Sequence, residues 1–166
     1  MLANAHQNTP AVSPALPGIL ALPLFAIPGI IQSTLFTKVA NAILAFPIKN
    51  GELDFLRHRT ISIQAQDAGV RIAITIINNK LAASPIGTRH DLSIQGNLYD
   101  LLLLISRRED SDTLFFQRRL RMEGDTELGL EIKNFLDSLD ADVLKLVKPL
   151  NSALQKALPL YERLFG

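Results

Sequence analysis

No Asp, Glu, Lys or Arg occurs before Lys38, and inside that uncharged opening residues 15–31, ALPGILALPLFAIPGII, are apolar apart from bends at Pro17, Pro23 and Pro28. Something other than water must cover such a segment. Its length approaches what spans a bilayer, yet each proline removes a backbone donor and clashes with the preceding helical turn, so a straight spanning helix is not expected. The segment reads as an apolar strap lying on a membrane, on a partner, or over the mouth of an internal cavity.

A chain of 166 residues supports one sizeable core, with or without an appended arm. Hydrophobic residues make up 48% and charged residues 20%, and much of that excess of oil lies in the first 48 positions. The net charge of +1 offers no clustered basic field for phosphates, so nucleic acid is disfavoured as a partner. The absence of cysteine excludes disulfides, thiolate catalysis and sulfur-ligated zinc, and it fits a reducing cytoplasm. The extreme N-terminus, MLANAHQNTP, lacks the basic residues of an export signal, and the chain reads as unexported.

Periodicity divides the remainder. Ile31, Leu35, Val39, Ala42, Ile43 and Phe46 recur at helical steps up to Pro47, which is expected to stop the helix with one face of continuous hydrocarbon. Beyond the Asn50-Gly51 turn the period changes to two. Strands are expected over 52–57, 61–66, 72–76, 80–84 and 91–96, with Asn78-Asn79 as a tight hairpin turn, and a last strand ending at Gly124. Asn97, Asp112 and Asp125 are candidate caps for three helices, and further helical pattern runs from Val143 through Leu158 and Tyr161. Sequential strands with tight turns imply a mainly antiparallel sheet with one apolar face.

Catalytic chemistry is sparse. His6, His58 and His90 lie far apart and belong to no metal-binding spacing, so each reads as a surface or loop residue. No nucleophile elbow, Walker loop or dinucleotide fingerprint is present. The acidic groups at Glu109, Asp110 and Asp112 and at Asp137, Asp140 and Asp142 do not match a calcium loop and read as solvated helix ends. Arg119 and Arg121, alternating with Leu120 and Met122, read as a solvated sheet face, with a lipid-headgroup contact by Arg118 or Arg119 as the alternative. No catalytic residue, metal or cofactor is assigned.

Residues 112–134, DTLFFQRRLRMEGDTELGLEIKN, resemble the signature of a bacterial branch of the sterol carrier protein (SCP-2-like) family that serves ubiquinone biosynthesis. The resemblance extends through GELDFLRHRTISI (51–63), INNKLAAS (77–84) and DLLLLISRREDSDTLFF (100–116) and includes the proline-punctuated arm. It implies an α/β (α+β) fold in which helices cover a curved, mainly antiparallel sheet of five to six strands and leave a hydrophobic lipid tunnel. It also implies a non-enzymatic accessory role in making ubiquinone without oxygen, holding isoprenoid quinone intermediates or phospholipid alongside partner biosynthetic proteins. The expected location is cytoplasmic, peripheral to the inner membrane.

On this reading residues 1–48 comprise a mobile start, the bent arm and an amphipathic helix, and residues 49–166 form the lipid-binding domain. The candidate lining residues are Ile63, Ile72, Ile74 and Ile76 on strands; Phe115, Phe116, Leu120 and Met122 in the signature; and Leu128, Ile132 and Phe135 on its helix. Leu20, Leu22, Leu24, Phe25, Ile27, Ile30, Ile31 and Leu35 are expected to make the lid or membrane contact. Alternatively the arm docks a protein, or buries itself in a symmetric homodimer.

Overall fold

A computed structural model describes residues 14–18, 21–22, 26–85, 87, 89–106, 108–139, 156 and 158–164. Five strands, β1 (Ile61–Ala65), β2 (Val70–Ile77), β3 (Lys80–Ala83), β4 (Leu92–Gly96) and β5 (Leu120–Gly124), form one sheet in the order β3-β2-β1-β4-β5. All neighbours are antiparallel except β1 and β4, which run parallel from Ile61↔Leu92 to Ala65↔Gly96. The period of two sets the faces: Ile61, Ile74, Leu92 and Ile94 enter the core, while Gln64 and Gln95 stand among the polar residues of the opposite face. Asn78 and Asn79 take left-handed φ values of 50° and 56°, as a two-residue hairpin requires.

Helices α1 (Gly29–Ile43), α2 (Ala45–Lys49), α3 (Leu98–Ser106), α4 (Ser111–Phe116) and α5 (Thr126–Ser138) accompany the sheet among the described residues, and 158–164 are helical as well. Leu101 and Leu103 of α3, Leu114 of α4 and Leu128, Ile132 and Phe135 of α5 join the strand residues in the core. Asp125 caps α5 by accepting from the Glu127 and Leu128 N–H groups at 3.0 Å each. Gly124 has φ +119°, and a Cβ there would collide with the Asp91 carbonyl, which accepts the Asp125 N–H at 2.8 Å. Only glycine fits that corner.

Several expectations are corrected. Residues 52–57 are turn and a 3-10 helix (Asp54–Leu56) instead of a strand, because Leu53 and Leu56, one turn apart, are both buried; Arg57 alone bridges Ile76. Six strands therefore reduce to five. The first helix breaks at Leu44 and not at Pro47, which sits inside the first turn of α2, where its missing N–H has no intrahelical partner to lose. Asp110, not Asp112, occupies the N-cap position of α4, and Asp112 pairs with Lys133 at 2.7 Å. The Leu98 N–H at the start of α3, where Asn97 was the expected cap, goes to Asp67 Oδ1 at 2.7 Å.

The largest reversal concerns α1. Its buried residues are Ser33, Thr37 and Ala40, whereas Ile30, Ile31, Leu35 and Val39 are 45–64% exposed. The helix lies along the outer edge of the sheet and bonds strand backbone. Gln32 Oε1 accepts the Arg71 N–H at 2.6 Å, Ser33 Oγ accepts the Ala73 N–H at 2.9 Å, and the Asn41 amide both accepts from and donates to Leu81 at 2.8 Å. β3 pairs only with Ile74–Ile77 of β2, so residues 70–73 would otherwise present bare donors. Side chains of a helix here do the work of a sixth strand, and an unprotected edge is avoided.

Candidate functional site

An open groove of about 680 Å³ follows β5 and is walled by α5. Phe115 enters from α4; Leu120 and Met122 form part of the floor; Gly129 and Leu130 close the far side. A Cβ at Gly129 would meet the Met122 sulfur, so glycine lets the helix approach the strand. Arg118, Arg121 and Lys133 stand on the lining, with Glu123 as the single acid among them. Arg118 holds a left-handed φ of 59° between α4 and β5. The Lys133 ammonium is raised in pKa, first by its hydrogen bond to Asp112, and remains a cation at neutral pH. Apolar floor and cationic rim together suit an amphiphile with a hydrocarbon tail and an anionic or polar head.

The structure gathers Phe115, Leu120, Met122 and Arg118 of the expected site residues in this groove. Ile74, Ile76, Leu128, Ile132 and Phe135 belong to the closed core, and Ile63 and Ile72 pack against it half-buried. Phe116 points away, 86% exposed. Leu22, Ile27, Ile30, Ile31 and Leu35 are exposed; Leu20, Leu24 and Phe25 lie outside the described residues. Ile30, Ile31, Thr34, Leu35 and Lys38 border a shallow recess of about 300 Å³ on the outer face of α1.

Arg119 differs from its expected role. It is 11% exposed, with Nη2 at 2.6 Å and Nε at 2.9 Å from Asp100 Oδ1, and Nη1 at 2.6 Å from Glu109 Oε2. Burial works against its charge, but the two carboxylates outweigh that and hold the guanidinium more firmly protonated. Arg119 is thus a structural cation neutralising the buried Asp100 and not a headgroup contact or part of a solvated sheet face. A lone carboxylate inside LYDLLLLIS was the sequence signal for a buried partner. Arg121, Leu130 and Lys133 were missed. Leu130 and Lys133 sit three apart on α5, one face over from its core stripe.

A second recess, of about 720 Å³, is edged by Arg57, His58, Thr60, Thr75, Asn78 and Asn79, with Ile76 and Ile77 between them. Arg57 is tied to Asp54 at 2.9 Å and Asn79 at 2.8 Å. Among the described residues there is no group of three or more His, Cys, Asp or Glu placed to hold a metal, and no helix is long and apolar enough to cross a membrane.

Residues 40–137, which carry all five strands and the groove, match the SCP-2 sterol transfer family. The chain belongs to that family. Ubiquinone biosynthesis accessory factor UbiT of Escherichia coli strain K12 is 36% identical over 126 residues, spanning 76% of this chain and 72% of that protein. The protein of the same name from Escherichia coli O157:H7 matches to the same extent. Among solved structures, a UbiJ-SCP2 ubiquinone synthesis protein superposes with a TM-score of 0.54 over 65% of this chain and 94% of its own, at 12% identity, a likeness of fold. The sterol-carrier architecture, a mostly antiparallel sheet covered by helices, is thereby shown; this chain's version has five strands and an open groove beside the last of them.

Proposed function

We propose that this chain is a non-catalytic, lipid-binding accessory protein of ubiquinone biosynthesis, acting in the oxygen-independent route. It holds an isoprenoid quinone intermediate or a phospholipid with the tail on the floor of the β5 groove and the head near Arg118 and Arg121. The observation that carries this reading is the groove itself, an apolar trough with a basic rim in a chain of sterol-carrier descent. At about 0.8 kcal/mol per methylene, burying roughly a dozen carbons supplies on the order of 10 kcal/mol before ordering costs. A hydrocarbon wall distinguishes chains differing by one methylene by only about 1–3 kcal/mol, so several tails are accepted.

The outer face of α1 gives the second half of the proposal. Its exposed Ile30, Ile31, Leu35 and Val39 accompany a single charge, Lys38, and no acid occurs before Glu52. That pattern suits the anionic cytoplasmic surface of an inner membrane. The same exposed strip favours one competing reading, in which it docks ubiquinone-biosynthesis proteins. Mass spectrometry of the organic extract from purified protein tests the carrier: co-purified prenyl quinone or phospholipid supports it, and an empty extract refutes it. Replacing Ile31 and Leu35 by Gln separates the two readings of this strip. Lost vesicle binding with partner association intact supports the membrane contact, and the reverse supports docking.

A further inference from the structure

Polar ties from both ends of the chain meet at one turn. Asp67, between β1 and β2, accepts the Leu16 N–H on Oδ2 at 2.9 Å, the Leu98 N–H on Oδ1 at 2.7 Å, and, more weakly, the Tyr161 hydroxyl on Oδ2 at 3.4 Å. One carboxylate therefore fastens the N-terminal arm, the start of α3 and the C-terminal helical residues 158–164. The Tyr161 ring stacks on Tyr99 with centroids 5.4 Å apart, and the Tyr99 hydroxyl donates to Glu162. What these ends bring with them is apolar. Ala21 and Leu158 are 0% and 1% exposed, and Leu16 and Tyr161 pack against the core.

The clasp also sits at a telling end of the sheet. β1 and β4 finish there, at Ala65 and Gly96, and Gly96 pairs with Leu120, the first residue of β5. Leu120 is buried in the core and lines the β5 groove as well. The inner end of the groove thus meets the interior beside the elements that the chain ends cover.

We infer that Asp67 is a latch, and that the segments it holds, around Leu16 and over 158–164, form a two-part lid whose release lets a lipid tail pass from the groove into the apolar interior. This rests on the carrier reading and adds a gate to it. Hydrogen bonds to a charged acceptor are individually strong but few in number, so a lid held at Asp67, with the Tyr99–Glu162 bond beside it, opens as a unit without unfolding the sheet.

The test uses the full chain as wild type, Asp67→Asn and Tyr161→Phe. Hydrogen–deuterium exchange is measured together with uptake of pyrene-labelled phosphatidylcholine from neutral vesicles. In Asp67→Asn, exchange at Leu16, Leu98 and 158–164 is expected to rise about tenfold while β1, β2 and β4 keep their protection, and uptake is expected to accelerate similarly. Tyr161→Phe should loosen only the C-terminal part. Unchanged exchange at the ends, or a rise shared equally by the strands, overturns the latch. Loosened ends with an unchanged uptake rate overturn the gate alone. Wild-type protein that takes up no lipid overturns the carrier reading and the gate with it.

Discussion

Two amphipathic helices of similar length use their apolar stripes in opposite ways. α5 buries Leu128, Ile132 and Phe135 and turns Glu127, Glu131 and Asn134 to water. α1 buries Ser33, Thr37 and Ala40 and turns out Ile30, Ile31, Leu35 and Val39. The difference lies in what each helix meets. α5 contributes to a core of apolar side chains, where its stripe removes hydrocarbon from water. α1 meets the backbone of a sheet edge, where unsatisfied N–H and C=O groups cost more than a few exposed methyls gain, so polar side chains face inward. Hydrophobic periodicity therefore locates an interface, but the chemistry of the opposing surface decides which face fills it.

That comparison can be broken in stages. Phe135→Ala should destabilise the protein by about 3–5 kcal/mol in chemical denaturation, whereas Leu35→Ala should stay within about 0.5 kcal/mol. Equal losses at the two positions would mean that α1 hides its oil after all. Arg119→Ala, which strands the buried Asp100, belongs with the first class at about 3–5 kcal/mol, while Arg118→Ala should leave the denaturation midpoint in place and weaken lipid retention. Ser33→Ala and Asn41→Ala should each cost about 1–3 kcal/mol, because strand donors are left without acceptors. A neutral result at both would show that the edge does not need α1.

A smaller effect comes from Asp125→Ala at the start of α5, about 1 kcal/mol by loss of the cap, with the Arg59 contact at 2.8 Å going as well. The last effect is absent at neutral pH. Burial pushes both Tyr99 and Tyr161 up to about 12, assisted by Glu162 and Asp67 respectively. Below their ordinary value of 10.0 both states hold these protons; above it the unfolded tyrosines ionise first, so stability falls as pH rises from 10.0 towards about 12. An ultraviolet titration of tyrosinate, run beside thermal melts, should show both phenols resisting ionisation until the fold loosens.

Strands were the most legible part of the fold, since alternation at 61–65 and 70–77 and the Asn78-Asn79 turn leave little freedom of register. Residues 52–57 deceived because Leu53 and Leu56 fit both an extended segment and a tight turn, and only the burial of both decides. Of the groove's lining, the signature motif supplied Phe115, Arg118, Leu120 and Met122. The groove's far wall was not legible, because Leu130 and Lys133 read as ordinary helix surface until β5 is placed beside them. Arg119 was misread for a similar reason: its partners Asp100 and Glu109 come from outside the strand pattern that appeared to explain it.

The parallel pairing of β1 with β4 has a consequence for biogenesis. These central strands are separated in sequence by the whole β2–β3 hairpin, so on the ribosome the sheet cannot close until Gly96 has emerged. Until then Ile61 and Ile63 of β1 lack their β4 neighbours Leu92 and Ile94. Such a nascent chain is a natural client for chaperones, and slowing translation ahead of β4 should lower the soluble yield more than slowing it after β5.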